Sequence, residues 1–151
     1  MGTKQYRLDR FIQAQERTYQ GALQEITEGK KRNHWMWYIF PQLRALGRSS
    51  TAQYYGIEDI EEAKAYLAHP ILGTRLREIS RALLSLKTHD PLEVMGHPDH
   101  LKLCSCMTLF ALAEGSDSVF SLVLDKFYGG AMDGLTVELL QADTYGQNKE
   151  R

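Results

Sequence analysis

Residues 8–26, LDRFIQAQERTYQGALQEI, decide the fold class. Leu8, Phe11, Ile12, Gln15, Tyr19, Ala22, Leu23 and Ile26 recur at steps of three and four, and Gly29 follows as a stop. That spacing puts one apolar stripe along a helix. The same steps continue downstream. Asn33 is placed to cap a short helix through Phe40, which Pro41 ends. Residues 42–55 read as a connection, loosest at Gly47, Ser49, Ser50 and Thr51. Asp59 can cap a helix to Ala68, and Pro70 suits the first position of another carried by Leu72, Leu76, Ile79 and Leu83. Asp90-Pro91 open a single turn that Gly96 closes. Pro98 opens a longer helix through Leu101, Cys104, Thr108 and Ala111. Ser116 is expected to cap the next, with Phe120, Leu124 and Phe127 buried, before Gly129-Gly130 break it. Asp133 caps a last short helix with Leu135, Leu139 and Leu140.

No segment alternates with the period of a strand. The expected architecture is all-α, a single compact domain of about six to eight helices. It spans residues 1–151, with its core over about 8–141 and a polar tail, 144–151, that frays.

Composition narrows the function classes. The chain has 151 residues, 43% hydrophobic and 25% charged, with a net charge of −1. That is enough apolar material for one core. A near-neutral chain lacks the basic field that nucleic acids require, so no nucleic-acid partner is expected. The longest apolar run, Trp35 to Phe40, is far below the ~20 residues of a membrane span, so no membrane partner is expected either. The N-terminus has no apolar targeting segment. Cys104 and Cys106 stand two apart, on nearly opposite sides of a helix, and read as two reduced thiols. A cytoplasmic location is expected.

Both tryptophans fall in KKRNHWMWYIFPQLRALGRSS, residues 30–50. Apolar groups surround a helix built on this run, which fits a buried central helix. It also fits an aromatic pocket wall for a flat ligand, with His34, Gln42, Arg48 and Ser49 as its few polar groups. Lys30, Lys31 and Arg32 follow a helix end and complement its dipole, or contact a phosphate. Arg48 offers a planar fork suited to phosphate or carboxylate. Lys102 and Ser105 are three apart and can meet on a helix face, as a Ser–Lys pair or as ordinary packing. Asp133, like Asp9, is either a cap or a carboxylate held for a ligand hydroxyl. His97, His100 and Cys104 have metal-ligating chemistry, but a closed zinc site needs four ligands and no fourth lies nearby. No metal and no cofactor are expected.

Several phrases together carry a family likeness: Arg10-Phe11 with Ala14-Gln15, His34-Trp35-Met36-Trp37, Phe40-Pro41-Gln42, and Leu46-Gly47-Arg48-Ser49. They continue with Glu62 to Pro70, Leu72-Gly73-Thr74-Arg75-Leu76, Met107 to Phe110, and Gly130 with Asp133 and Thr136. In this order, from about Leu8 to Leu140, the chain resembles the bacterial family labelled domain of unknown function eighteen-ten. The resemblance implies a compact, mainly helical fold and no established reaction. Some such proteins carry the label calpastatin, but an inhibitor of that kind is a long disordered chain, whereas this composition makes a core. The family pattern has a serine-rich Lys-Leu-x-Ser-Ser-Met-Thr stretch where this chain has Leu103-Cys104-Ser105-Cys106-Met107, and His97, His100 and Cys104 are outside it. The shared polar positions His34, Trp37, Gln42, Arg48, His69, Arg75, Asp99, Lys102, Ser105 and Asp133 become site candidates. A looser similarity, without matching motifs, is to the N-glycosidase-like family linked to NAD and ADP-ribose metabolism.

Two functions are therefore expected as alternatives. In the first, the chain binds, and hydrolyses, a nucleotide or an NAD- or ADP-ribose-type molecule. Trp35 or Trp37 stacks the ring, and Arg48 and Lys102 hold phosphate. Asp133 or Asp99 holds a ribose hydroxyl or orients water, and His34 serves as acid or base. Gln42, Ser49, His69, Arg75 and Ser105 complete the site. In the second, the chain is a non-catalytic helical interaction or structural module. The same polar residues then serve as caps and inter-helix hydrogen bonds, and Arg75 pairs with Glu78 or Glu62.

Overall fold

In a computed structural model, which describes residues 6–115 and 117–149, ten α-helices and one 3₁₀ turn follow one another. They are α1 (Asp9–Glu16), α2 (Tyr19–Thr27), α3 (Met36–Ile39), the 3₁₀ turn (Arg44–Leu46), α4 (Ser50–Tyr54) and α5 (Ile60–Ala68). Then come α6 (Leu72–Leu84), α7 (Pro91–Met95), α8 (Asp99–Glu114), α9 (Val119–Tyr128) and α10 (Gly134–Lys149). Among the described residues there is no strand, only an isolated parallel bridge between Leu43 and Ile57. The class is all-α as expected, with more helices than expected.

The surplus has local causes. The first stripe is split at Arg17–Thr18, where the Thr18 hydroxyl donates back to the Ala14 carbonyl (2.7 Å) and its N–H to that of Gln15 (3.1 Å). Such back-bonding by a β-branched residue competes with helix continuation. The 42–55 connection contains α4, because Ser49 caps it by accepting from the Ala52 N–H. Asn33 does not cap α3. Its amide donates to Glu25 instead, and α3 starts after Trp35. Nor does α6 start at Pro70. His69 Nδ1 accepts from the N–H groups of Ile71 and Leu72, so the helix opens at Leu72. The cap of α9 is Ser118, while Ser116 lies outside the described residues. Asp133 caps α10 as expected, but that helix is long and runs into the segment expected to fray.

The central element is α8, not the aromatic helix. From Ser105 to Ala111 every residue of α8 is buried. A helix enclosed on all sides must be packed around by others, and α5, α7, α9 and α10 all lie against it. Phe110 meets Tyr66 of α5 and Phe120 of α9 at ring separations of 5.3 and 5.8 Å. Helix α6 packs on α2, α5 and α9. Its C-terminal end is closed by Lys126, whose ammonium donates to the Leu84 carbonyl (2.9 Å) and to that of Leu86.

The α5–α6 junction admits no side chain at Gly73. A Cβ there would stand 2.1 Å from the Leu67 carbonyl oxygen. Helix propensity favours alanine over glycine by about 1 kcal/mol, but this overlap is with backbone, and overpacking costs about 1–3 kcal/mol. Gly73→Ala is therefore expected to lower the melting temperature. Gly21→Ala, whose Cβ meets nothing within 4 Å, is expected to raise it by the propensity gain. Thermal denaturation of the pair reads both signs.

Candidate functional site

The first turns of α8 present two rows of side chains: Lys102 with the buried Ser105, and Leu101 with Cys104. Lys102 of the first row also lines a small hollow with Gln42 and Ala52. The second faces the α9–α10 connection, where the Cys104 thiol approaches the Ala131 carbonyl at 3.8 Å. Along these rows lies a cleft of about 660 Å³. That size is usual for a small-molecule site.

The polar groups of the cleft come from distant parts of the chain: Gln42, Arg48 and Ser49 from one wall, Lys102 and Ser105 from α8, and Asp133 from the start of α10. Each is fixed differently. Ser49 is held by capping α4. Ser105 donates to the Leu101 carbonyl (3.3 Å). The Asp133 N–H donates to the buried Thr108 hydroxyl (2.8 Å), which ties the start of α10 to the central helix. Asp133 Oδ2 accepts from the Thr136 N–H (3.1 Å) and from its hydroxyl. The other carboxylate oxygen, Oδ1, has no hydrogen-bond partner among the described residues. Arg48 likewise has no ion-pair partner among them, and the Lys102 ammonium lies 3.8 Å from Asp99.

Burial, reinforced by the Asp133 carboxylate, pushes the Cys104 thiol up to about 11. It is therefore protonated at neutral pH and is no nucleophile. Tyr128, also in the wall, is raised by burial, and its hydroxyl donates to the His100 carbonyl (2.5 Å).

The other expected site residues stand apart from this cleft, each with a physical commitment of its own. Trp35 is a core side chain, 2% exposed, and its indole N–H donates to Glu25 (3.0 Å), so it cannot stack a ligand. Trp37 lines a hollow of about 10 Å³ that shares Gln42, Ala52 and Lys102 with the cleft. That space is at the lower limit for one water and is closed to a ring. His34 is exposed and outside the cleft. Asp99 pairs with Lys31 at 2.8 Å, and Lys31 in turn lies over the Trp35 ring at 4.9 Å. His69 opens α6. Arg75 donates to Gln15 (3.3 Å) and stacks on Tyr19 (5.2 Å), rather than pairing with Glu78 or Glu62. Of the basic cluster, Arg32 pairs with Glu28 at 2.7 Å. Asp9 is the first residue of α1 rather than its cap.

Sequence reasoning missed the apolar rim. Leu101 and Leu135 are read from sequence only as members of helical patterns, yet they are 54% and 53% exposed, and Met132 is 43% exposed. All three line the cleft. Periodicity gives a rim residue and a core residue the same signal.

A second hollow, of about 430 Å³, lies by Arg7, Arg10, Arg44 and Tyr54. The Arg10 guanidinium is already committed there: Nε donates to the Tyr54 carbonyl (2.8 Å), the terminal nitrogens donate to the carbonyls of Arg7 and Gly56, and Glu62 is its ion-pair partner. No group of three or more metal-ligating side chains occurs among the described residues. No helix among them is long and apolar enough to cross a membrane.

A family model described as "Protein of unknown function (DUF1810)" matches residues 5–140. The chain is similar to the conserved hypothetical protein Rv1873 from Mycobacterium tuberculosis, known from a crystal structure. Identity is 48% and the TM-score 0.86, over 89% of this chain and 96% of that one. No curated protein matches.

Proposed function

We propose that this chain, which belongs to the family described as Protein of unknown function (DUF1810), binds a phosphate-bearing small molecule of the nucleotide or ADP-ribose type in the cleft beside α8. The observation that carries this reading is convergence. Gln42, Arg48, Ser49, Lys102, Ser105 and Asp133, spread over most of the sequence, line one space. Caps and packing alone give no reason for a guanidinium, an ammonium and two hydroxyls to share a cavity wall. Arg48 and Lys102 supply the charge, with the arginine fork matched to phosphate oxygens.

Hydrolysis is the catalytic extension of the same reading. Among the described residues Asp133 is the one carboxylate lining the cleft. For an N-glycoside, water oxygen bonds to the anomeric carbon, the carbon–nitrogen bond breaks, and the proton leaves with the departing base. A fixed carboxylate stabilises the positive charge that develops on the sugar.

Thermal shift against nucleotides, NAD, ADP-ribose and nucleotide sugars tests the binding. A ligand at about 100 times its Kd adds about 2.7 kcal/mol, or about 5–10 °C for a chain of this size. Arg48→Ala and Lys102→Ala are expected to abolish that shift while leaving the unliganded melting temperature nearly unchanged, since surface charges contribute little to folding. A flat panel from folded protein would sink the proposal and favour an interaction module.

A further inference from the structure

Resting on the phosphate reading above, we infer that the ligand is a ribonucleoside phosphate. Its ring end lies on the aliphatic rim Leu101–Met132–Leu135, and a ribose hydroxyl donates to Asp133.

The two rows on α8 divide the cleft chemically. Lys102 belongs to the wall it shares with Gln42 and to the closed hollow behind it. With Arg48 and Ser49 opposite, this is the anion end. The Cys104 thiol approaches Ala131 and feels the Asp133 carboxylate, which among the described residues is the one acidic group lining the cleft. A carboxylate repels phosphate, so whatever occupies that end must bring a donor. Asp133 Oδ2 is held by Thr136, which fixes the side chain and leaves Oδ1 as the acceptor. A rigid acidic acceptor of this kind suits a ribose hydroxyl.

Neither tryptophan can stack the ring. Trp35 is buried in the core, and the hollow beside Trp37 is too small. The cleft instead offers three exposed aliphatic side chains next to the acceptor. Single exposed apolar residues are ordinary, but these three share one cleft lining and offer an apolar seat for a ring. The order along the cleft is then phosphate, sugar, ring, which is the order of groups in a nucleoside 5′-phosphate.

The test is calorimetric titration of the protein with a ribonucleoside 5′-monophosphate, its 2′,3′-dideoxy analogue, ribose 5-phosphate and inorganic phosphate. All four common bases are included. Loss of a hydrogen bond to a charged acceptor corresponds to about tenfold or more in affinity. The best ribonucleotide is expected to bind about tenfold or more tighter than its dideoxy analogue. Asp133→Asn keeps a good capping residue but turns the free acceptor into a donor, and it should erase that preference. Leu135→Ser, at an exposed position, should bring the ribonucleotide toward ribose 5-phosphate. Equal binding of ribo and dideoxy forms, or of ribose 5-phosphate and the ribonucleotide, would overturn the inference and leave the phosphate site standing. Absence of binding by every phosphate compound would overturn both.

Discussion

Glu25→Ala is expected to destabilise the protein by about 1–3 kcal/mol, the cost of leaving the buried Trp35 indole N–H without its acceptor. The carboxylate sits near the end of α2 and is buried. It accepts from the N–H groups of Arg32 (2.7 Å) and Asn33 (3.0 Å), the Asn33 amide (2.5 Å) and the Trp35 indole (3.0 Å). One side chain therefore folds the 30–35 loop and positions Trp35 in the core. Chemical denaturation should show the loss as a lower midpoint with an unchanged slope.

The same carboxylate has a pH signature. Burial alone would raise its pKa, but the hydrogen bonds from Arg32, Asn33 and Trp35 outweigh that and lower it to about 2 from an ordinary 4.5. A group bound less tightly to its proton when folded contributes stability above its unfolded pKa. That contribution is complete above about 4.5 and is lost as pH falls toward 2. The stability gap between wild type and Glu25→Gln should therefore narrow across that interval. A gap that stayed constant from pH 6 to pH 2.5 would contradict this account.

The second large effect is expected at Arg10. Its guanidinium is buried against Glu62 at 3.0 Å and spans the carbonyls of Arg7, Tyr54 and Gly56. Glu62 Oε1 accepts from the Glu58 N–H (2.7 Å), so the pair links α1 to the α4–α5 connection and to α5. Arg10→Ala leaves a buried carboxylate without its counter-charge, at about 3–5 kcal/mol. Arg10→Lys should recover little, because a point ammonium cannot reproduce a planar fork with several acceptors. Arg10→Met with Glu62→Met should be milder than Arg10→Met alone, since the stranded charge is then gone. Denaturation of these four variants decides it. A double variant worse than the single one would show that Glu62 stabilises the fold even without its counter-charge, and would contradict the stranded-charge account.

The parts of the fold that were legible in sequence are those with a local cause. The caps at Asp59 and Asp133, the turn from Asp90-Pro91 to Gly96, and the stop at Gly129-Gly130 each depend on neighbours a few residues away in sequence. The break at Thr18 escaped because the apolar stripe continues in phase on both sides of it. The aromatic stretch was readable as core or pocket because the need of Trp35 for an acceptor was visible but the acceptor, Glu25, was not. The polar set of the cleft was legible by residue type. Which of its members meet is a tertiary fact, and it separates Lys102 and Asp133 from Asp99 and Arg75. The arginine of the α1 motif was visible only as a family word, since its partner Glu62 is 52 positions away.

The enclosure of α8 bears on how this protein can change over generations. Cys106 to Ala111 are all buried, so a substitution there must be answered elsewhere in the core. One turn earlier, Leu101, Lys102 and Cys104 line the cleft, where replacement perturbs the core little. The same helix thus holds the least and the most permissive positions side by side. On the proposed reading, ligand preference drifts at one end of α8 while its other end keeps the architecture fixed.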